Sequence, residues 1–255
     1  MDRRCVCRRE RGGRMIGKAV SLSHKRYNVI VLAGGAGSRM GVASDYIPKA
    51  LTKLGKMRAI DFIIERYSNI AHKFIIGVGY HADLLTSYIS GRYKYPIEFS
   101  MEAPESMRNN AYSTLYCLDH ADSRYGTIVT FCDLVMLDNL VVEDDCLYYV
   151  NENTKGFPGT FRHSVRVENG NVSEIVNNSE PTKFSNGVLG TFVFGNTPLL
   201  KANMYAKYNA LSDLTDDGVA AYLQSQPLVA KECSVVYEFG NEDDLSAVRK
   251  LWQDA

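Results

Sequence analysis

Residues 27–51 read YNVIVLAGGAGSRMGVASDYIPKAL, and this stretch decides the fold. Its apolar run at 27–33 leads directly into glycines, which is typical of a buried strand that ends in a tight loop. Glycines let backbone N–H groups point at phosphate oxygens and let a ligand approach the chain closely. Arg39 then adds positive charge where phosphate charge would collect. The stretch therefore predicts a phosphate-binding loop at the end of a buried strand.

Two familiar glycine motifs do not fit this loop. A dinucleotide-binding fingerprint needs a third glycine where Met40 stands, and a helix directly after it. A P-loop needs Gly-Lys-Ser/Thr at its end, and the sequence lacks that tripeptide here. On the glycines alone, a flexible turn without a ligand stays open.

Strand and helix patterns alternate through the first half of the chain. Besides 27–33, the pattern predicts strands at 74–80, 95–101 and 127–136, and helices at 57–70, 81–90 and 110–120. Such alternation is typical of βαβ units with parallel strands. The first half is therefore expected to form a parallel sheet.

The pattern of apolar and turn-forming residues changes after about residue 145. Short strands with turn signals follow, including a hairpin turn at Asn169-Gly170. The C-terminal part predicts a helix at 213–225, a strand at 228–237 and a helix at 241–252. We therefore predict an α/β fold with a three-layer, Rossmann-like mixed sheet in a single domain.

The predicted domain covers residues 27–255, with a nucleotide-binding half at 27–145 and a substrate-binding half at 146–255. Residues 1–26 are basic and lack the apolar core of a signal peptide, so we expect a disordered tail. An over-long start with Met15 as the initiator fits equally. A transit peptide or a nucleic-acid-binding arm stays open as a less favoured interpretation.

The composition argues against two classes of partner. Lys plus Arg and Asp plus Glu both number 29, so no net charge favours nucleic acid or an acidic membrane surface. No apolar run is long enough for a transmembrane helix. Six scattered cysteines without zinc spacing indicate reduced thiols, and hence a cytoplasmic protein. The five histidines form no metal-binding spacing either. A homo-oligomer stays open.

The segment after the glycine loop gives the chain a family resemblance. It resembles the nucleotidyltransferases that make nucleotide sugars and related activated metabolites, whose signature is a strand, then L-x-G-G-x-G-S/T-R-M/L, then P-K-x-L. The matching residues are Leu32, Gly34, Gly35, Gly37, Ser38, Arg39, Met40, Pro48, Lys49 and Leu51. The resemblance implies the nucleotide-diphospho-sugar transferase type of fold. It also implies transfer of a nucleoside monophosphate from an NTP to a small phosphorylated substrate, with release of pyrophosphate.

The resemblance assigns roles to the residues of this segment. Arg39 and Lys49 would be catalytic, stabilising charge on the triphosphate and on the phosphorus under attack. The nucleotide would contact the loop, with the base near its start. The nucleotide-binding residues in the loop would be Leu32, Ala33, Gly34, Gly35, Gly37 and Ser38.

A magnesium site is expected from two carboxylates. Asp133 follows the apolar run that ends at Cys132, where α/β sheets bind ligands, and it matches the family's metal-binding aspartate. A cap or turn role for Asp133 is the alternative. The second carboxylate is expected at Glu238, where many sugar-specific members have Asp. Asp243 or Asp244 is instead expected to cap the following helix.

The base pocket is expected to involve Glu102 and Asn110. The family often carries Gln or Glu near the base at the position of Glu102. The run Asn109-Asn110-Ala111-Tyr112-Ser113 resembles that of cytidylyltransferases acting on phosphocholine and similar phosphate monoesters, which favours CTP. Asn110 as a helix N-cap is equally compatible with this run.

The acceptor stays divided between two classes. Ser179-Glu180-Pro181 lacks the lysine with which sugar-specific members hold a sugar phosphate, although Lys183 or Arg162 could substitute. The stretch around Gly190 resembles the sugar-binding strand, which favours a sugar 1-phosphate. Phosphocholine or a similar monoester is the alternative acceptor.

Two other functions are weighed against these. A non-catalytic nucleotide-binding regulator would explain the missing aspartate and lysine but not the intact Arg39, Lys49 and Asp133. Guanylyl transfer to a molybdenum cofactor fits poorly with the position of Glu238 and with the long second half.

Overall fold

The computed structural model describes residues 17–21, 25–37, 39–40, 46–101, 109–156, 161–182 and 186–253. Within these residues the strands are β1 Ala19–Ser21, β2 Tyr27–Leu32, β3 Lys53–Leu54, β4 Met57–Arg58, β5 Ala71–Val78, β6 Ile97–Met101, β7 Gly126–Phe131, β8 Leu134–Met136, β9 Leu140–Val142, β10 Cys146–Asn151, β11 Phe161–Glu168, β12 Asn171–Thr182, β13 Asn186–Phe194, β14 Val229–Glu232 and β15 Val236–Glu238. The α-helices are α1 Ala59–Tyr67, α2 Ala82–Ile89, α3 Asn110–Leu118, α4 Thr197–Ala206, α5 Ala220–Leu223 and α6 Glu242–Gln253.

The largest sheet among the described residues has the order β10-β14-β12-β11-β13-β7-β2-β5-β6. Four neighbouring strands from the first half, β7, β2, β5 and β6, are parallel to one another. β13 then pairs with β7 in the antiparallel sense, and β11 and β12 form an antiparallel hairpin. The sheet is therefore mixed, as predicted, with a parallel half and a largely antiparallel half.

Both faces of the parallel half are covered by helices. Val29 and Val31 of β2 pack with apolar residues of α1 and α2. Ile30 lies between them in the sequence and packs with residues of α3 and α4 on the opposite face. Because successive strand side chains point to opposite faces, a strand covered on both sides needs a continuous apolar run. This arrangement confirms the predicted three-layer α/β fold.

The positive φ angles of Asn169 (50°) and Gly170 (79°) confirm the predicted hairpin turn between β11 and β12. These angles suit the two central residues of a type I′ turn, which matches the twist of the flanking strands. The turn fixes the hairpin register, in which His163 faces Asn177.

Two features of the described residues differ from the sequence predictions. The predicted disordered tail at 1–26 is wrong for residues 19–21, because β1 pairs in parallel with β9 and buries Ala19 and Ser21. Residues 1–16 lie outside the described part. The helix α4 at Thr197–Ala206 was not predicted, although Asn196 caps it by accepting the Leu199 N–H and a proline occupies its first turn.

Two predicted long strands are each divided in the structure. The run 127–136 separates into β7 and β8 at Cys132 and Asp133, and the run 228–237 separates into β14 and β15. β8 then leaves the main sheet and pairs with β15. None of the helices in the described ranges is long and apolar enough to span a membrane.

Candidate active site

The order of the parallel strands creates a crevice. The chain runs from β2 to β5 and β6 on one side, then returns to place β7 on the other side of β2. At such a switch point, the loops that leave the carboxyl ends of two adjacent strands diverge and leave room for a ligand. The loop after β2 carries the glycines, and the turn after β7 carries Asp133. The topology therefore brings the two main predicted motifs to one place.

A cavity of about 500 Å³ lies at this point. Eight of the predicted site residues line it, namely Leu32, Gly34, Gly35, Gly37, Arg39, Lys49, Asn110 and Asp133. Ala33 is buried behind the lining, with 1% of its surface exposed. Predicted site residues Ser38, Glu102 and Lys183 lie outside the described residues.

Backbone hydrogen bonds hold the glycine loop against β5. The Ala33 N–H donates to the Gly77 carbonyl at 3.0 Å, and the Tyr80 N–H donates to the Gly34 carbonyl at 2.9 Å. Gly37 has a φ of 65°, which favours glycine. At Gly35 an added Cβ would meet no atom of the described residues within 4 Å, so their packing does not require a glycine there. Close approach of a ligand to the backbone would require it.

Lys49 and Asp133 form a buried ion pair at the floor of the cavity. The Lys49 Nζ lies 2.5 Å from the Asp133 Oδ2, and the two side chains are 11% and 15% exposed. Lys49 stands on a single 3-10 turn, Lys49–Leu51, that begins after Pro48. Burial acts to lower the pKa of Lys49, but Asp133, Cys132 and Glu238 together outweigh burial, and the net pKa is raised. The ammonium group is therefore held charged inside the cavity.

The second predicted carboxylate lies beside Asp133. β15 pairs with β8 so that Glu238 faces Leu134, and the Phe239 N–H donates to the Asp133 carbonyl at 3.2 Å. Burial, together with the negative charge of Asp133, raises the pKa of Glu238 to about 7. Two carboxylates in one buried place repel each other, so a nearby cation would stabilise both in the charged form.

The residues present fit a magnesium ion. The Asp133 Oδ1 is buried and has no hydrogen-bond partner among the described residues, whereas Oδ2 is held by Lys49. An orphaned buried carboxylate oxygen is costly unless something binds it. Asp133 and Glu238 supply the oxygen donors that Mg²⁺ prefers, and one or two carboxylates are its usual protein ligands.

The side chain of Arg39 extends from the glycine loop toward Glu238. A Cβ built on Gly240 would lie 3.5 Å from the Arg39 Nη2 and 3.6 Å from the Glu238 Oε1, so Gly240 lies between the two side chains. The positive charges of Lys49 and Arg39 act to lower the pKa of Glu238, against the larger effect of burial. The site thus combines two cations and two carboxylates around one cavity.

The two asparagines are held by the protein itself. Asn109 caps α3, because its Oδ1 accepts the Tyr112 N–H at 2.9 Å. The Asn110 Nδ2 donates to the Asp213 Oδ2 at 2.9 Å, and its Oδ1 accepts the Leu214 N–H at 2.8 Å. The N-cap alternative for Asn110 is therefore wrong, since its neighbour is the cap. A base-reading role for Asn110 stays a prediction, because these two bonds use only one of its two amide hydrogens.

The cap expected for α6 also differs. The Asp244 N–H donates to the Asn241 Oδ1 at 2.9 Å, and the Asn241 Nδ2 donates to the Asp244 Oδ2 at 2.7 Å. The cap is thus Asn241 rather than Asp243 or Asp244. Asn241 fits this role because its short side chain reaches back to the third helical N–H.

Gly190, which was predicted to bind the acceptor, is not among the residues that line the cavity. It lies under the ring of Phe131, and a Cβ at Gly190 would come within 2.6 Å of the Phe131 Cδ2. Phe131 itself lines the cavity. Gly190 therefore acts on the site through Phe131, by leaving room for the ring.

We expect Gly190→Ala to destabilise the fold by about 1–3 kcal/mol, since the new methyl group forces the Phe131 ring to move. Urea unfolding of the wild type and the variant measures this loss. The matched test repeats the substitution in a Phe131→Leu background, where the shorter side chain should reduce the added cost. An equal cost in both backgrounds would contradict the proposed contact.

Several further lining residues were not among the predicted site residues, namely Ala36, Tyr80, Asn109, Ser113, Phe131, Cys132 and Gly240. Tyr80 lies just past the carboxyl end of β5, beside the glycine loop. The sequence could have indicated Tyr80, because neighbouring parallel strands end at the same edge of a sheet. Ser113 lies one helical turn after Asn109 and Asn110, so it shares their face of α3.

Comparison with known proteins agrees with this geometry. Residues 29–153 match the family model described as the MobA-like NTP transferase domain. No curated protein matches the sequence significantly.

Solved structures resemble the fold over nearly its whole length. The CTP:phosphocholine cytidylyltransferase from Streptococcus pneumoniae has a TM-score of 0.73 and 18% identity, with 89% of this chain and 99% of that chain covered. A UDP-glucose pyrophosphorylase complexed with UDP-glucose has a TM-score of 0.72 and 14% identity, covering 90% and 99%. The inositol-1-phosphate CTP transferase from T. maritima has a TM-score of 0.67 and 16% identity, covering 89% and 95%.

Proposed function

We propose that this chain, whose residues 29–153 match the MobA-like NTP transferase domain, is a nucleotidyltransferase that transfers a nucleoside monophosphate from an NTP to a small phosphorylated substrate. Pyrophosphate is the second product. The observation that carries this proposal is the convergence of Arg39, Lys49 and Asp133 on one cavity at the switch point of the sheet. Cations and a carboxylate in this place suit phosphoryl chemistry on a triphosphate.

The reaction is a direct in-line displacement. A phosphate oxygen of the acceptor forms a bond to the α-phosphorus of the NTP, while the bond from that phosphorus to the oxygen bridging to the β-phosphate breaks. The electron pair of the broken bond leaves with pyrophosphate. The acceptor supplies its own nucleophile, so no side chain needs to form a covalent intermediate.

The chain contributes charge and position. Lys49 and Arg39 face the triphosphate and offset the negative charge that builds at the α-phosphorus and on the leaving group. Open backbone at Gly35 admits the phosphates, and the rigid ends of β2 and β7 set the distance between loop and carboxylates. Mg²⁺, when bound by Asp133 and Glu238, would neutralise phosphate charge and orient the leaving pyrophosphate.

CTP is the donor we favour. Two of the similar solved structures are named as enzymes that use CTP. Asn109, Asn110 and Ser113 place polar groups along one wall of the cavity, and Tyr80 adds an aromatic ring against which a base can stack. The base would rest between this wall and the start of the glycine loop.

The acceptor is a phosphate monoester, with a sugar 1-phosphate as the first candidate and phosphocholine as the second. Phe131 borders the cavity, where its ring could pack on a sugar face or contact a quaternary ammonium group. The named activities of the similar structures include both classes of acceptor. Only a direct assay separates them.

Pyrophosphate release tests the proposal. The full-length protein is assayed with Mg²⁺ across CTP, UTP, dTTP, GTP and ATP, against pooled sugar 1-phosphates and, separately, phosphocholine-type monoesters. We expect release that needs one NTP and one pool and that stops when EDTA removes the metal. Mass spectrometry of the product identifies the joined halves. Nucleotide binding without release from any pairing would instead support the non-catalytic regulator.

A further inference from the structure

Three polar side chains meet on the far side of Asn110, outside the residues that line the cavity. His163 lies on β11, Asp213 precedes a π-helical turn at Leu214–Val219, and Asp216 lies in the first part of that turn. Their ligand atoms all lie within 4.8 Å of one another. About fifty residues separate the histidine from the carboxylates, so sequence spacing could not reveal the group.

The distances within this His163 cluster suit a metal ion. The His163 Nε2 lies 3.3 Å from the Asp216 Oδ1 and 3.7 Å from the Asp213 Oδ1. In a tetrahedral site with bonds of about 2.1 Å, ligand atoms lie about 3.4 Å apart. The three atoms can therefore contact one ion without a large movement of the chain.

His163 needs a partner that the described residues do not supply. Its side chain is only 10% exposed, and its Nε2 is buried without a hydrogen bond to any described residue. The nearby carboxylates are close to it but poorly aligned for a hydrogen bond. A buried imidazole nitrogen that lies near two carboxylate oxygens without a hydrogen bond to them can share a metal ion with those oxygens.

Other described groups donate hydrogen bonds to both carboxylates. Asn177 faces His163 across the hairpin, and its Nδ2 donates to the Asp216 Oδ2. The Asn110 Nδ2 donates to the Asp213 Oδ2, and the Thr215 N–H donates to the Asp213 Oδ1 at 2.8 Å. Such hydrogen bonds orient carboxylate ligands and make the site rigid. The second lone pair of the Asp213 Oδ1 can still serve an ion.

We propose that His163, Asp213 and Asp216 bind a divalent transition-metal ion of the Zn²⁺ class, at a site separate from the Asp133–Glu238 pair. One imidazole nitrogen with two carboxylate oxygens suits Zn²⁺, whereas Mg²⁺ prefers oxygen donors alone. Water can fill the fourth position. The ion would tie β11 to the 213–219 turn and, through Asn110, hold the wall of the nucleotide cavity. The proposal does not depend on the substrate of the enzyme.

Zinc binding to the full-length protein tests the site directly. The protein carries Cys5→Ser and Cys7→Ser, which remove two thiols that are close in sequence and could compete for zinc. It also carries Asp133→Asn, which removes a carboxylate ligand of the other proposed metal site. Metal is stripped with a chelator, and Zn²⁺ alone is titrated by calorimetry. Co²⁺ absorption then reports whether the bound ion has the visible bands of tetrahedral nitrogen and oxygen coordination.

We expect one equivalent of Zn²⁺ in this background, with an affinity at least ~10-fold weaker after His163→Ala. Asp216→Asn, which keeps the shape of the side chain, should weaken binding similarly and serves as a second variant if the first fails to fold. His120→Ala removes a more exposed histidine and should leave the affinity unchanged. Saturating Zn²⁺ should also raise Tm in the background protein but not in the His163 variant.

Two results would overturn the proposal. One is the absence of zinc binding in the background protein. The other is zinc binding that neither His163→Ala nor Asp216→Asn weakens. Either result would favour a simple ion pair between a protonated His163 and the two carboxylates. Pyrophosphate release is not a readout here, so failure of the metal site and failure of the proposed reaction remain distinguishable.

Discussion

Lys49→Ala is expected to lower turnover by at least about 100-fold, the usual cost of removing one preorganised electrostatic contact. Lys49 is the cation that β7 and the 49–51 turn hold against Asp133 at the floor of the cavity. Burial acts to lower its pKa, but Asp133 and the neighbouring Cys132 and Glu238 raise it overall, so the ammonium group stays charged in the cavity. Alanine removes that charge at the place where negative charge develops on the triphosphate.

The measurement is kcat for pyrophosphate release at saturating NTP and acceptor. Lys53→Ala is the matched control, because Lys53 is an exposed lysine four residues further along and does not reach the cavity. Lys49→Arg should recover part of the lost rate, since it keeps the charge but changes the geometry. Thermal unfolding shows whether each variant folds. A kcat for Lys49→Ala within a few-fold of the wild type would remove Lys49 from the proposed mechanism.

Local sequence patterns were sufficient for the parallel half of the fold. The apolar run of β2 is covered on both faces, and such a strand carries a continuous apolar signal that does not depend on distant residues. Asp133 could be placed because a polar residue that ends a buried strand lies at the edge of the sheet. The glycine loop and Lys49 were recognised from one contiguous motif.

Features that depend on the pairing of distant segments could not be predicted from local sequence patterns. Glu238 reaches Asp133 through the pairing of β15 with β8, two strands separated by about a hundred residues. The strand β1 forms only because β9 offers it an edge. Nothing in the sequence around Gly190 predicts the Phe131 ring above it. Likewise, nothing around His163 predicts its contact with Asp213 and Asp216. Each case combines residues that only the folded chain brings together.

Asn110 illustrates how one residue can serve two sites. It lies on the cavity wall, and its amide is bonded to Asp213 and to the backbone of Leu214. The wall of the cavity and the proposed zinc cluster therefore share one side chain. An ion bound at that cluster would fix the orientation of the Asn110 amide before a nucleotide arrives, which reduces the cost of ordering it on binding.

Asp133→Asn is expected to lower turnover by at least about 100-fold and to weaken binding of the catalytic metal. Asparagine keeps the shape of the side chain, but it removes a full negative charge and replaces one of the two carboxylate oxygens with an NH₂ group, which cannot ligate a cation. The Asp133 Oδ1 is the buried oxygen without a partner, so its loss as an anionic ligand removes the feature that fits magnesium best. Glu238 alone would offer one carboxylate, and burial, the largest cause of its raised pKa, would still disfavour its charged form.

The test measures kcat as a function of Mg²⁺ concentration, together with direct binding of Mn²⁺ by electron paramagnetic resonance. Asp83→Asn is the control, because it removes an exposed carboxylate from the first turn of α2. We expect the Asp133 variant to lose Mn²⁺ affinity while it keeps the zinc equivalent assigned to His163. Unchanged Mn²⁺ binding and near-normal kcat would mean that Asp133 serves only as the buried partner of Lys49. In that event Lys49→Ala should still reduce turnover, which separates the charge of the lysine from the role of the carboxylate.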